Sequence, residues 1–229
     1  MRLVYFICRW IGLLKGIVPG LILFKPKLYY EEPGKKPQKL KGGALVVSNH
    51  YAVFDYIVSI LLFLPRFLRV VSAEFPYHNW FLTFGMNCFR GIKADRTVKS
   101  MRFVDESVSA IRSGDKVQIF PEGRNTDDGT IGPFAVPYLM IVSRSGKPII
   151  PVVLDGNYGI TKRVHMLIGN LIYPEDLHLP ANPSAEELET ANAFVRDRIL
   201  RLKEMLDAKV LEDAERKHRN NKQKQANTD

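Results

Sequence analysis

The sequence has little cysteine and lacks the residue spacings that metal sites require. Only Cys8 and Cys88 occur among 229 residues, and both lie in apolar company. Two isolated cysteines exclude a disulfide framework and favour a reducing compartment. The five histidines show no metal-ligand spacing, so we predict neither a metal site nor a cofactor.

Two further absences narrow the class of protein. No Gly-x-Ser-x-Gly pattern occurs, so a serine nucleophile of the hydrolase type is unsupported. Cys88 lies in an apolar run, where a thiol is expected to be inert. The sequence pI of 9.5 raises the alternative of a nucleic-acid binder, but no recognition-helix or RNA-sheet motif is present and the chain begins with an apolar run. We therefore predict no nucleic-acid partner.

The chain also lacks an uninterrupted apolar run of membrane-spanning length. Residues 3–24 are strongly apolar, but Arg9 and Lys15 interrupt them and Pro19-Gly20 is expected to break a helix. This pattern fits neither a signal peptide nor a spanning helix. It predicts a membrane anchor over residues 1–30, made of two short helices that lie in the lipid interface. A pair of ordinary core helices is the alternative.

The positive charge of the chain supports the prediction that these helices lie in the lipid interface. The chain carries 33 basic and 24 acidic residues, a formal net charge of +9, which points to an anionic partner. Near an anionic leaflet each basic residue adds up to about 1 kcal/mol of binding. Six lysines follow the apolar stretch at once: Lys25, Lys27, Lys35, Lys36, Lys39 and Lys41.

Strand-like and helix-like segments alternate from residue 43 onward, which predicts an α/β domain over residues 31–214. Such alternation implies a mostly parallel central sheet flanked by helices. The predicted strands are 44–48, 67–72, 91–94, 116–120 and 148–153, with further strand at one edge over 163–172. The predicted helices are 53–64, 76–88, 98–113 and 134–145.

The C-terminal part is predicted to be one helix followed by a tail. Ser184 and Glu187 form a capping box, and an apolar stripe runs from Leu188 to Val210. Residues 215–229 are polar and basic, with nothing to bury, so we predict that this tail is disordered.

The end of the first strand of the domain carries the first candidate for chemistry. The apolar run Ala44–Val47 ends in Ser48-Asn49-His50, and Asp55 follows five residues after the histidine. On a regular helix such a spacing would not bring the two side chains to one face. They meet only if His50 lies in the turn and Asp55 on the first helical turn. A carboxylate would then hold one imidazole nitrogen while the other nitrogen accepts a proton. An incidental pair beside a helix-capping Asn49 is the alternative.

Charged residues also follow two other predicted strands. Arg96 comes after the strand near residue 92, and Glu122, Gly123 and Arg124 come after the strand that ends at Phe120. Two guanidinium groups at one rim of a sheet match the oxygens of a phosphate. Surface ion pairs are the alternative for each arginine alone.

Taken together, four ordered segments resemble the motif blocks of the glycerolipid acyltransferase family, over about residues 43–155. They are Asn49-His50-x4-Asp55, Arg90 to Arg96, Phe120 to Gly123, and Ile149 to Val152.

The resemblance implies transfer of a fatty acyl group to a lipid hydroxyl at a membrane face, without a covalent enzyme intermediate. The acceptor would be a lysophospholipid, above all 1-acyl-glycerol-3-phosphate, which would give phosphatidic acid. The donor would be acyl-CoA or acyl carrier protein as cosubstrate. His50 would be the general base and Asp55 its orienting residue. Arg96, Glu122, Gly123 and Arg124 would hold the phosphate-bearing acceptor, and Pro151 would lie near the acyl donor.

Two departures from the family pattern bear on the acceptor. Arg90 replaces the first of two glycines that usually open the second block. The third block reads Glu122-Gly123-Arg124-Asn125, so its arginine stands one position earlier than usual. A different lysolipid or amphipathic acceptor is one alternative, and a non-catalytic membrane-surface protein is another. The predicted location is the cytoplasmic face of the cell membrane, with peripheral or monotopic attachment.

Overall fold

The computed structural model describes residues 2–52, 54–64, 68–73, 79–94, 101–126 and 129–226. Within these ranges, seven strands form one sheet in the order β1-β7-β6-β2-β5-β3-β4. The strands are β1 (Lys27–Tyr30), β2 (Ala44–Ser48), β3 (Leu68–Ala73), β4 (Ile92–Ala94), β5 (Lys116–Ile119), β6 (Ile149–Leu154) and β7 (His165–Ile168). The helices are α1 (Arg2–Phe24), α2 (Phe54–Phe63), α3 (Trp80–Cys88), α4 (Arg102–Arg112), α5 (Pro137–Ser145) and α6 (Ala185–Ala226).

The directions of the strands bring several chain turns to one edge of the sheet. β2 is parallel to both β5 and β6, and β3 is parallel to β5 and β4. Among the pairs of described strands β6–β7 is antiparallel, an isolated antiparallel bridge joins Ile149 to Ile172, and β1 runs parallel to β7. The strands β2, β5 and β6 therefore end at the same side, which we call the carboxyl edge. Open parallel sheets bind ligands outside this edge.

The two faces of the sheet are covered by different helices, as the alternating pattern predicts. Leu45 and Val47 of β2 pack in the core that α4, α5 and α6 complete. Ala44 and Val46 face the other way, into a core closed by α2 and by the end of α1. A strand buried on both faces reads as a continuous apolar run. The prediction of a mostly parallel sheet flanked by helices is confirmed.

Gly43 permits the close approach of α4 to the start of β2. A Cβ atom at this position would lie 1.9 Å from the carbonyl oxygen of Ile111, far inside any van der Waals contact. The apolar face of α4 can therefore reach the sheet only with glycine at position 43.

The N-terminal apolar stretch differs from its prediction, because α1 is one helix of 23 residues that contains Pro19. A proline removes one intrahelical hydrogen bond, but the turns on both sides of it remain helical. Gly20 lies against α2, where an added Cβ would be 3.5 Å from Leu61. This is an ordinary van der Waals distance, so the packing does not require glycine here, and Gly20 does not end the helix. No helix in the described residues is long and apolar enough to cross a membrane.

At the C-terminal end, α6 replaces the disorder that the sequence predicts for residues 215–226. The helix starts at the predicted capping box, in which Ser184 and Glu187 exchange hydrogen bonds, and it extends for 42 residues. Asp213 ties it to β1 through ion pairing with Lys27 and a hydrogen bond from Tyr29. Beyond that anchor the sequence is rich in Lys, Arg and Gln, which are good helix formers. Residues 227–229 lie outside the described residues.

Candidate active site

His50 and Asp55 meet at the carboxyl edge in the way their spacing predicts. β2 ends at Ser48 and α2 begins at Phe54, so His50 lies in the connecting turn and Asp55 in the first turn of the helix. The Nδ1 atom of His50 lies 2.9 Å from Oδ2 of Asp55. Asn49 fixes the turn to β6, because its amide bonds both the N–H and the carbonyl of Leu154.

The carboxylate of Asp55 is fully buried and held from several directions. Its Oδ2 atom also accepts the backbone N–H groups of Tyr51, at 2.6 Å, and Ala52, at 2.8 Å. Its Oδ1 atom accepts the hydroxyl of Tyr158. A buried carboxylate with this many donors is held in one orientation. It can therefore fix the tautomer and direction of the imidazole.

The imidazole of His50 is left with one nitrogen available. The carboxylate of Asp55 can only accept a hydrogen bond, so Nδ1 carries the ring proton and the free lone pair is on Nε2. Nε2 has no hydrogen-bond partner among the described residues. The ring stacks on Phe120 with centroids 4.0 Å apart and planes at 19°. Thr126 fixes the turn from the other side, since its N–H lies 3.0 Å from the carbonyl oxygen of His50.

Glu122 binds the turn after β5 to the turn after β2. Its Oε1 atom accepts the N–H of His50 at 3.0 Å, and its Oε2 atom accepts the N–H of Gly132 at 2.9 Å. Burial raises the pKa of Glu122, and the two backbone hydrogen bonds act against that rise. Gly123 follows with a φ of 66°, which favours glycine at this turn. The structure thus gives Glu122 a positioning contact to the backbone of His50.

Of the two arginines predicted to bind phosphate, only Arg124 lies within the described residues. Arg124 is exposed beside Glu122, and a Cβ on Gly132 would lie 3.8 Å from its Nη2 atom. Arg96 lies outside the described residues. The phosphate clamp of Arg96 and Arg124 therefore stays a prediction.

Pro151 lies deeper than the other predicted site residues. It is buried in β6 opposite Val47, three residues before the strand ends. At the rise of a strand this places it about 10 Å from the carboxyl edge. Its carbonyl accepts the N–H of Gly169 at 2.9 Å. Its position near an acyl donor also stays a prediction.

Two tyrosines of the site could not be predicted from the sequence. Tyr158 reaches Asp55 across 103 positions of the chain, and burial raises the pKa of its hydroxyl. Tyr51 lies between Gly129 and Gly156, where an added Cβ would be 2.8 Å or 2.6 Å from the tyrosine side chain. Burial raises the pKa of Tyr51 to about 12. Both hydroxyls therefore stay protonated, and that of Tyr158 is a fixed donor to Asp55.

A second histidine–carboxylate pair lies at the same edge. Nδ1 of His165 is 2.6 Å from Oδ2 of Asp155, and the backbone N–H of His165 donates to Oδ1 of the same residue at 3.0 Å. These bonds join the end of β6 to the start of β7. We interpret this pair as part of the β6–β7 connection, and it offers a matched control for His50.

Comparisons with known proteins agree with the geometry. A family model described as Acyltransferase matches residues 27–155, which is more than half of the chain. The plastid protein "1-acyl-sn-glycerol-3-phosphate acyltransferase BAT2, chloroplastic" of Brassica napus is 26% identical over 117 residues, which cover 48% of this chain and 32% of the plant protein. The chain thus spans about a third of the length of that relative.

The crystal structure of the 1-acyl-sn-glycerophosphate (LPA) acyltransferase PlsC from Thermotoga maritima superposes with a TM-score of 0.58 and 21% identity, covering 82% of this chain and 76% of that chain. At this identity the likeness shows a shared fold. The region matched by the family model contains His50, Asp55 and Glu122 on their three connected turns, and the chain belongs to the Acyltransferase family.

Proposed function

We propose that the protein transfers a fatty acyl group from a thioester, acyl-CoA or acyl carrier protein, to the hydroxyl of a lysophospholipid. The proposed acceptor is 1-acyl-glycerol-3-phosphate, with phosphatidic acid as the product. The observation that carries this proposal is the contact of His50 with the buried carboxylate of Asp55 at the carboxyl edge. Family membership and the acceptor for which the two relatives are named support this choice.

The proposed step needs one general base and neither a metal ion nor a cofactor. Nε2 of His50 takes the proton of the acceptor hydroxyl, and the oxygen attacks the thioester carbonyl. The carbon–sulfur bond then breaks, and the imidazolium returns the proton to the leaving thiolate. Asp55 stabilises the imidazolium through Nδ1 while the charge exists. Phe120, Glu122 and Thr126 keep the ring and its turn in place.

The test is a panel of acceptors and donors. The purified chain is incubated with acyl-CoA or acyl carrier protein thioester and a set of lysolipids, and the products are identified by mass spectrometry. Acylation of lysophosphatidic acid supports the proposal. Acylation of another lysolipid alone would replace the acceptor, and no product with any pair would favour a non-catalytic membrane protein.

We expect binding of the acceptor's phosphate to depend on Arg96. Loss of a charged contact to phosphate costs about 1.5–3 kcal/mol, so Arg96→Ala should lower kcat/KM for lysophosphatidic acid roughly ten- to a hundredfold. Arg124→Ala should have a smaller effect, because Arg124 is exposed beside Glu122. Arg112→Ala is the control, since that guanidinium donates to the carbonyl of Arg144 at the opposite edge.

The comparison of two acceptors makes this test specific. A monoacylglycerol of the same chain length lacks the phosphate, and Arg96→Ala should leave its slower acylation unchanged. If the unmodified protein used both acceptors equally well and Arg96→Ala changed neither rate, no phosphate clamp would exist and the acceptor would have to be reassigned.

We also propose that the protein acts at the cytoplasmic face of the cell membrane and that α1 is its contact with the lipid. Five apolar side chains share one side of the helix and are all at least 39% exposed: Leu3, Ile7, Trp10, Leu14 and Leu21. The spacing of three, four and seven residues aligns them along the helix. An exposed apolar stripe of this kind fits a helix that lies in the interface, and the two free thiols agree with a reducing compartment.

Replacing the most exposed members of the stripe should weaken binding to vesicles without unfolding the protein. Leu3→Gln combined with Leu14→Gln removes two side chains that are 70% and 68% exposed. The loss of their burial in lipid should lower vesicle affinity about tenfold or more. Sedimentation with phospholipid vesicles measures this change.

The matched control replaces two exposed apolar residues of α6. Leu211 and Phe194 are 63% and 49% exposed, and changing both to Gln should leave vesicle affinity almost unaltered. Equal losses in the two double variants would show that α1 is not the lipid contact.

A further inference from the structure

Three arginines and two carboxylates lie near one another at the edge of the sheet opposite His50, and two of the arginines form ion pairs. Asp115, which precedes β5, lies 3.1 Å from Arg90 and 3.7 Å from Arg69. Glu106 of α4 pairs with Arg69 at 2.8 Å. Arg9 of α1 joins this group: burial lowers its pKa, and the neighbouring charge of Arg90 lowers it further. The cluster therefore holds an excess of positive charge at the junction of α1 and α3.

The backbone at Arg90 shows that a long basic side chain has been placed where glycine fits best. Its N–H bonds the carbonyl of Asn87, and the N–H of Gly91 bonds that of Met86, the pattern of a Schellman cap at the end of α3. In such a cap the residue at the position of Arg90 takes a left-handed conformation, and φ is 56° here. Glycine adopts this conformation freely, whereas arginine is strained in it. Backbone strain of this kind is a reason to look for a role of the side chain.

Arg90 and Arg9 border the same cavity between α1 and α3. Its volume is about 490 Å³, large enough for a phosphate ester. Two guanidinium groups and a side-chain amide can bind the oxygens of one phosphate from several sides. The lining residues are Tyr5, Phe6, Arg9, Asn87, Cys88 and Arg90.

The rim of the cavity is aromatic and exposed. Phe6 is 49% exposed and stands 5.4 Å from the guanidinium of Arg9. Phe84 of α3 is also exposed and packs against Tyr5, with ring centroids 5.8 Å apart. Aromatic side chains beside basic ones are suited to the level of lipid headgroups. A soluble phosphate would use the arginines alone, whereas a phospholipid would use both features.

We propose that Arg9, Arg90 and Asn87 form a binding site for the phosphate of an anionic membrane phospholipid, separate from the site of acyl transfer. The inference rests on the membrane contact of α1 in the proposed function. Phe24, at the other end of α1, packs against Tyr158 at the carboxyl edge. Phe24 lies fifteen positions after Arg9 on the same helix, which corresponds to roughly 22 Å. A lipid held at Arg90 therefore cannot be the acceptor at His50, and it would fix the orientation of α1 on the membrane.

The test measures binding of the full chain to two kinds of vesicle, phosphatidylcholine alone and phosphatidylcholine with one-fifth phosphatidylglycerol. Arg90→Gly suits the left-handed backbone and removes the guanidinium. It should weaken binding to the anionic vesicles about tenfold and leave binding to neutral vesicles unchanged. Arg201→Gln is the control for net charge, because Arg201 is exposed on α6 and pairs only with Asp197 in the described contacts. It should change anionic binding less than threefold.

Arg90→Lys and free phosphate complete the test. Lysine keeps the charge beside Asp115 but loses the planar fork, so this variant should bind anionic vesicles with intermediate affinity. Inorganic phosphate at the concentration of the anionic lipid should not displace the protein. Equal losses in Arg90→Gly and Arg201→Gln would overturn the site, and displacement by inorganic phosphate would overturn the lipid as its ligand. Acyl transfer to a detergent-solubilised acceptor reports on the proposed function separately, because it depends on His50.

Discussion

His50→Ala is expected to lower kcat for acyl transfer by about 10²–10⁴, the range that general-base catalysis contributes. The substitution removes the nitrogen that takes the acceptor's proton. It leaves the backbone N–H that Glu122 accepts and the carbonyl that Thr126 bonds, so the turn should keep its shape. The loss should therefore appear in turnover and not in the unfolding midpoint.

His165→Ala is the matched control for this experiment. His165 also bonds a carboxylate through Nδ1 at the carboxyl edge, so it loses the same ring and the same kind of contact. Because it joins β6 to β7, its replacement should lower thermal stability while the folded fraction keeps its turnover. Product formation by mass spectrometry and melting by circular dichroism separate the two effects. A folded His50→Ala protein with nearly normal turnover would exclude the histidine as the base.

The contact of His50 with Asp55 could be predicted because both residues are local in the sequence. A strand that ends before a polar pair, followed by a helix, leaves few ways to arrange five residues. Glu122 was placed at the same edge by the alternation of strands and helices, which sets β5 beside β2 in the same direction. Its contact with the backbone of His50 was not predictable, because no pattern in the sequence specifies a side-chain to backbone bond across 72 positions.

Other features depend on packing that the sequence does not display. Tyr158 follows the end of β6 by four residues, and its hydroxyl reaches Asp55 only because β6 lies next to β2. The helix α1 continues through Pro19 and Gly20, and its last residue, Phe24, packs in the core that α2 closes. The end of α6 is helical although it buries little, since helix propensity and the anchor at Asp213 act where an apolar pattern is missing.

Asp55→Asn should lower kcat about a hundredfold, less than His50→Ala, because the structure dictates how the amide will lie. The position of Oδ2 accepts three donors: Nδ1–H of His50 and the N–H groups of Tyr51 and Ala52. An amide must place its oxygen there, since its NH₂ group would face three hydrogens. The NH₂ group then takes the position of Oδ1, where the Tyr158 hydroxyl can turn and accept.

In that orientation the variant keeps the tautomer of His50 and loses only the negative charge. A hydrogen bond to a charged group contributes about 1.5–3 kcal/mol, which corresponds to a loss of roughly 10- to 150-fold. Nitrogen-15 NMR of the imidazole should still show the proton on Nδ1. Asp55→Ala is the contrasting variant, because it leaves buried N–H groups without an acceptor and should also lower the melting temperature.

Two results would contradict this account of Asp55. Turnover within twofold of the unmodified protein would mean that the charge does not stabilise the imidazolium. A loss as large as that of His50→Ala, with the proton moved to Nε2, would mean that the amide turns its NH₂ group toward His50 despite the two backbone donors. Tyr158→Phe in the Asp55→Asn background tests the same point, because it removes the acceptor of the NH₂ group. The double variant should therefore be less stable than Asp55→Asn alone. Tyr158→Phe by itself should remove one hydrogen bond to Asp55 and leave the negative charge of the carboxylate in place.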